Sequence, residues 1–214
     1  MQHARVSSHN DPLLGWRLWR VRGESLESWA ASYVWEPGDN VSHCLAPVRR
    51  CPHSPGRGCM CGFWGLFSPL RALERGRAER TERSSVLGLI RGWGEVAVHG
   101  EEGFRSEHAT VACLFTDWIW DATRLPCPRG RLESLVWRLQ QAVGYVPRPT
   151  PADPWRRASV EQASAHYGVP LLSLSDALEH GVLREFGVHQ SGIDEVSTWL
   201  ELTEEERLRR LGLD

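Results

Sequence analysis

Leu13-Leu14-Gly15-Trp16-Arg17-Leu18-Trp19-Arg20-Val21-Arg22 alternates large apolar side chains with arginine, the two-residue period of a strand that lays one face on a core. Downstream, Glu36-Pro37-Gly38-Asp39-Asn40 is a strong turn signal. Residues 63–67 suit a short strand, and strand character returns over 85–98 and 107–116, with His99-Gly100-Glu101-Glu102-Gly103 as the hairpin loop between them. Ser68 followed by Pro69 reads as an N-cap with proline at the first helical position, predicting a polar helix to about residue 83. Leu132, Leu135, Val136, Leu139 and Val143 recur at helical spacing and predict a helix over 131–143 lying on the sheet. The expected class is α+β: a β-rich N-terminal domain with one or two packed helices, followed by a small helical C-terminal segment.

Outward from that domain, residues 1–12 are polar and read as a disordered tail, and the β-rich, cysteine-containing domain runs over 13–146. Pro147, Pro149, Pro151 and Pro154 mark residues 147–154 as a linker. Residues 155–214 form an acidic helical segment, in which Thr203 with Glu206 is a capping box and Glu205 with Arg209 a favourable pair four residues apart. Within it, residues 159–181 have the outline of a helix-turn-helix, with Gly168-Val169 as the turn. The second helix would begin on Pro170-Leu171-Leu172-Ser173, without the Arg, Lys, Asn or Gln that reads bases, so the expectation is a helical hairpin packed on the main domain or on a partner protein, with Leu171 and Leu172 as the exposed apolar contact in the partner case.

The 214 residues contain 25 basic side chains, all arginine, and 11 tryptophans, a bias that a GC-rich genome encodes. An Arg and Trp surface can recognise phosphates or flat rings, but burial of tryptophan in a β-rich core is the plainer account. Residues 1–151 carry 19 Arg against 15 acids, and 152–214 carry 6 against 12, so any nucleic-acid contact is expected from the N-terminal domain. No apolar stretch approaches the roughly 20 residues of a membrane span, and residues 1–11 lack the apolar centre of a secretion signal. A reducing, cytoplasmic setting with no membrane association is the expectation.

Cys44, Cys51, Cys59 and Cys61 lie within eighteen residues in a proline-rich loop that also carries His43 and His53. Thiolates on such a loop can converge on a tetrahedral metal, and zinc fits the ligand set, with His43 or His53 as replacement for a missing sulfur. The spacing departs from the usual Cys-x-x-Cys, since the chain offers Cys59-Met60-Cys61. Two other readings stand beside zinc: small packing residues at the start of a strand, and a redox-active dithiol. Cys113, inside an apolar alternating run, is expected in the core.

Cys59-Met60-Cys61-Gly62-Phe63-Trp64-Gly65, then Gly92-Trp93-Gly94-Glu95-Val96, His99 and Gly103 through Ala109 resemble a pattern in uncharacterised, mostly actinobacterial proteins, over residues 13–117. The resemblance implies a domain and no activity. Gly92 and Gly94 would weaken a strand unless a bulge or a close approach needs them. His99, Arg105, Glu107 and His108 bring two imidazoles, a guanidinium and an acid near one hairpin, a candidate polar site for an anion, a metal or acid–base work. Strand alternation puts Arg105 and Glu107 on one face and His108 on the other, so the expectation is an Arg105–Glu107 pair supporting the hairpin, with no catalytic residue assigned.

Three function classes follow. The first is a non-enzymatic interaction or accessory protein, zinc-stabilised and with a protein partner. The second is a nucleic-acid or transcription-associated protein, and the third an enzyme at the 99–108 hairpin.

Overall fold

The computed structural model describes residues 5–29, 33–46, 50–56, 58–78, 85–116 and 154–210. The alternation at 13–22 belongs to a longer strand, β1 (Arg5–Arg22), followed by β2 (Ser25–Glu27), β3 (Asn40–Val41), β4 (Phe63–Leu66) and helix α1 (Pro69–Ala78). Strands β5 (Ser85–Val98) and β6 (Gly103–Phe115) form the long hairpin. Helix α2 (Pro154–Tyr167), strand β7 (Leu171–Leu172) and helices α3 (Leu174–Glu179), α4 (Val182–Glu185), α5 (Gln190–Glu201) and α6 (Glu204–Arg210) complete an α+β fold.

All seven strands join one sheet. Its antiparallel pairings run β1 to β5, β5 to β6, β6 to β4, and from β4 back to β1 through Trp16 and Leu66. The edge of β6 away from β5 is shared end to end by β4, β3 and β7. Alternation divides the strands between two cores. Trp16, Leu18, Leu87, Leu89 and Phe115 pack with α1 and with Leu174, Leu183, Ile193, Val196 and Trp199. Trp19, Val21, Trp35, Ile90, Phe104 and Leu114 pack with Val160, Ala163 and Tyr167 of α2. Burial is therefore the fate of Trp16, Trp19, Trp35 and Trp199.

Four expectations need correction. Residues 5–12 are strand rather than tail, because Arg5 to His9 pair with Gly94 to Val98 of β5, and a backbone ladder accepts the polar sequence there. Nor is there a helix-turn-helix at 159–181. Leu171-Leu172 pairs in parallel with Leu114-Phe115, with Leu114 N donating to Pro170 O (3.0 Å), so a strand that fills an open edge of β6 separates the two helices. Leu171 and Leu172 are accordingly half-buried cross-strand residues, so the segment packs on the main domain as one alternative had it, and the exposed contact of the partner case is not formed. The segment from α2 onward supplies side chains to both cores, so the proline-rich stretch does not mark off a separate one. Pro154 itself opens α2, while residues 147–153 and the helix expected at 131–143 lie outside the described residues.

The helix starts and caps agree with the sequence. Ser68 Oγ accepts from Arg71 N (3.2 Å) and donates to Glu195 Oε2 (2.6 Å), tying α1 to α5. Thr203 and Glu206 form the capping box, Glu206 Oε2 accepting from Thr203 N (2.9 Å), and this hydrogen bond holds the Glu206 carboxyl below the ordinary carboxylate range. Among the described residues no helix is long and apolar enough to cross a membrane.

The glycines of the hairpin have the expected cause. The β5–β6 register shifts between Trp93 and Val96, so Gly94 and Glu95 together face Glu107, and Gly94 takes φ +79° at this bulge. A side chain at Gly94 would also lie 2.8 Å from the Glu107 carboxylate, and one at Gly92 would meet Ser106 Oγ at 2.4 Å. Gly94→Val is expected to cost about 1–3 kcal/mol, the usual scale for a disfavoured left-handed backbone. Urea unfolding would measure it, and an unchanged midpoint would disprove the need for glycine at the bulge.

Candidate metal centre

Residues 42–62 leave β3 and return in β4, and both of these short strands pair with β6. Val41 lies opposite His108 and Phe63 opposite Ser106. Two residues of strand span about 7 Å, so the mouth of the loop is narrow even though the loop is long. Its base is tied down as well: Ser42 N donates to Glu107 O (2.7 Å), and Ser42 Oγ lies 2.9 Å from Ser54 Oγ. Cysteines far apart in sequence are thereby folded back onto one another.

The sulfurs of Cys44, Cys51, Cys59 and Cys61 all lie within 4.8 Å of one another, and Cys44 Sγ is 3.8 Å from Cys59 Sγ. A tetrahedron with metal–sulfur bonds of 2.3 Å has edges of about 3.8 Å. All four thiols are free and half-buried. Gly56 makes room for them. Its N–H donates to Cys61 Sγ (3.2 Å), and a Cβ there would sit 2.3 Å from Cys51 Sγ. The spacing that departed from Cys-x-x-Cys is therefore no obstacle, because Cys59 and Cys61 meet the other two sulfurs through the fold of the whole loop. His43 and His53 are exposed and stand outside the group.

The loop polarises its sulfurs unequally. N–H groups of Cys51 and Ala46 pull the Cys44 thiol down to about 7, whereas hydrogen bonding with Cys59, then burial, pushes Cys51 up to about 12. Four thiolates this close would repel one another, and a divalent cation among them would remove that cost. Cys113 is a core residue as expected, fully buried and pushed up to about 12 by that burial. Cys127 lies outside the described residues.

The hairpin residues divide into two groups rather than one polar site. Arg105 leans across β4 toward the cysteine loop. Its Nε donates to His99 Nε2 (2.8 Å), its Nη1 to the carbonyls of Cys59 and Cys61, the latter at 2.8 Å, and it lies over the Trp64 ring. His99 stacks on the same ring with centroids 4.8 Å apart. Glu107 turns toward β5 instead, its carboxylate accepting from Glu95 N (3.1 Å) at the bulge. The expected Arg105–Glu107 pair is thus replaced by separate contacts, because β6 has a different strand on each side. His108 stacks on Trp93 and meets Asp39 at 3.1 Å. Sequence reasoning had Asp39 only as a turn residue, and it left out Gly56 and Trp64, although Trp64 stands in the Cys-x-Cys-Gly-Phe-Trp run. Comparison of the chain with protein-family models, with curated proteins and with solved structures finds no match.

Proposed function

We propose that this chain is a non-enzymatic interaction or accessory protein whose cysteine loop is built around one structural zinc ion. The observation that carries the reading is the convergence of four sulfurs to within 4.8 Å. All-thiolate tetrahedral sets favour zinc among the common divalent ions. The composition of the loop supports it too, since the described residues within 42–62 contain little regular structure and few buried apolar side chains to order them. A cytoplasmic, reducing compartment would keep the thiols available as ligands.

The interaction part of the reading rests on what the loop displays. Leu45 beside Cys44 is 63% exposed, and Met60 between Cys59 and Cys61 is 65% exposed. Val41 of β3 and Val34 before it are exposed as well. Apolar side chains held out by a metal-ordered loop suit a protein partner. The other two classes have less support. Arg17 donates to Trp64 O (2.8 Å) and Arg20 to Trp29 O (2.8 Å), so these arginines serve backbone carbonyls and not phosphates. Burial even pulls the Arg17 guanidinium down to about 10. The hairpin residues that an enzyme would need are divided as described above.

Elemental analysis of untagged full-length protein is the direct test, with close to one zinc per chain as the expected result. A content below roughly 0.2 per chain, with no effect of chelator on melting, would return the four cysteines to packing.

A further inference from the structure

We infer that Arg105 is the positioning residue of the cysteine centre, its buried guanidinium serving as counter-charge to a metal-bound tetrathiolate while its hydrogen bonds hold Cys59 and Cys61 in ligating direction. The inference rests on the metal reading of the four thiols. Arg105 is 3% exposed, and its contacts are two carbonyls, one imidazole nitrogen and the face of Trp64. All of these are neutral, because a histidine that accepts at Nε2 carries its proton on Nδ1. Among the described residues no carboxylate pairs with Arg105. A guanidinium taken out of water without an anion is unfavourable, and four thiolates around a divalent ion keep a formal double negative charge. The anion that this cation lacks is therefore the metal centre a few atoms away.

The hydrogen bonds specify geometry as well as charge. Nη1 of Arg105 is shared between the carbonyls of Cys59 and Cys61, and Trp64 Nε1 donates to the carbonyl between them, Met60 O (3.3 Å). Every carbonyl of the Cys-x-Cys segment thus accepts from a side chain anchored in β4 or β6. With its peptide planes held, the segment can direct two sulfurs separated by a single residue to one point. His99 fixes the guanidinium from behind through Nε, and its own backbone is set by the hairpin loop, where His99 N donates to Gly103 O (2.8 Å). Groups of this kind around a metal's ligands commonly change affinity by about 10–100-fold when removed.

The test is zinc affinity of full-length protein, by competition with a chromophoric chelator, for wild type, Arg105→Gln and Arg105→Lys, alongside the melting temperature of each metal-free form. Arg105→Gln is expected to weaken zinc binding about 10–100-fold, and Arg105→Lys, which restores charge without the contact to His99, to recover part of that loss. The metal-free melting temperatures should change little among the three. Affinities within twofold of wild type for both variants would overturn the inference, as would a loss of affinity matched by an equal loss of metal-free stability. If Arg105→Gln does not fold, His99→Leu takes its place. It is expected to release zinc faster, and an unchanged release rate would count against the assignment. A wild-type protein that binds no zinc would instead sink the metal reading itself, a result distinct from the others.

Discussion

Replacing Trp199 by alanine is expected to remove about 3–5 kcal/mol of folding stability, the scale for deleting a buried tryptophan. Trp199 is in α5, far along the chain from the sheet, yet it is buried in the cluster that holds Trp16 of β1, Leu87 and Leu89 of β5 and Phe115 of β6. The helix has no spare distance to absorb the change: a Cβ at Gly192 would lie 2.7 Å from Phe67 O and 2.9 Å from Trp16 Nε1. On the other face, Tyr167 Oη accepts from Leu26 N (3.1 Å) and donates to Trp35 O, joining α2 to β2 and the aromatic core. Whole-domain stabilities are only about 5–15 kcal/mol, so the loss should be felt throughout the molecule. Urea unfolding followed by far-UV circular dichroism and by tryptophan fluorescence should shift as one transition. Deletion of residues 154–214 should leave a chain that does not fold. A truncated protein with an intact sheet transition would show that the helices are an appendage.

Much of the sheet is legible in the sequence for a simple reason: where a strand faces a core, its side chains report its period. Trp16, Leu18, Val86, Leu89 and Val111 are such residues, and a strand is expected through each of them, β5 with its observed ends and β1 and β6 with later starts than they have. Strand pairing without burial leaves no such mark. Residues 5–9 are strand because the hairpin offers them a ladder, and their polar side chains give no sign of it. Leu171-Leu172 is too short for any period, and its state is decided by the vacant edge of β6. The cysteine set is visible as composition and its convergence is one of the expected readings, but the cause is not legible, because it lies in β3 and β4 docking two residues apart on one strand. Which way Arg105 and Glu107 lean depends in turn on which strands flank β6, and that is a property of the topology alone.

Chelation is the second large effect expected, a fall in melting temperature of about 6–20 °C when the metal is removed. A bound ion would order a loop whose described residues include few buried apolar side chains, and in small zinc modules such binding is worth about 10–16 kcal/mol. Here the sheet can persist while the loop opens, so only the share that couples to the core, on the order of 3–5 kcal/mol, should appear in global melting. For a chain of this size each kcal/mol moves the midpoint by about 2–4 °C. The coupling runs through Ser42, whose N–H donates to Glu107 O, and through Arg105, which joins the loop to β6. Cys59→Ser with Cys61→Ser should melt at the lowered temperature and respond no further to chelator, since the double change removes two of four ligands. The gap between metal-loaded and chelated protein should narrow as pH falls, because protons compete with the metal for the same sulfurs. Scanning calorimetry of both proteins, each with and without chelator, measures all of this. Wild-type melting that ignores the chelator, together with a double variant that melts within about a degree of wild type, would leave four neighbouring thiols with no metal to hold.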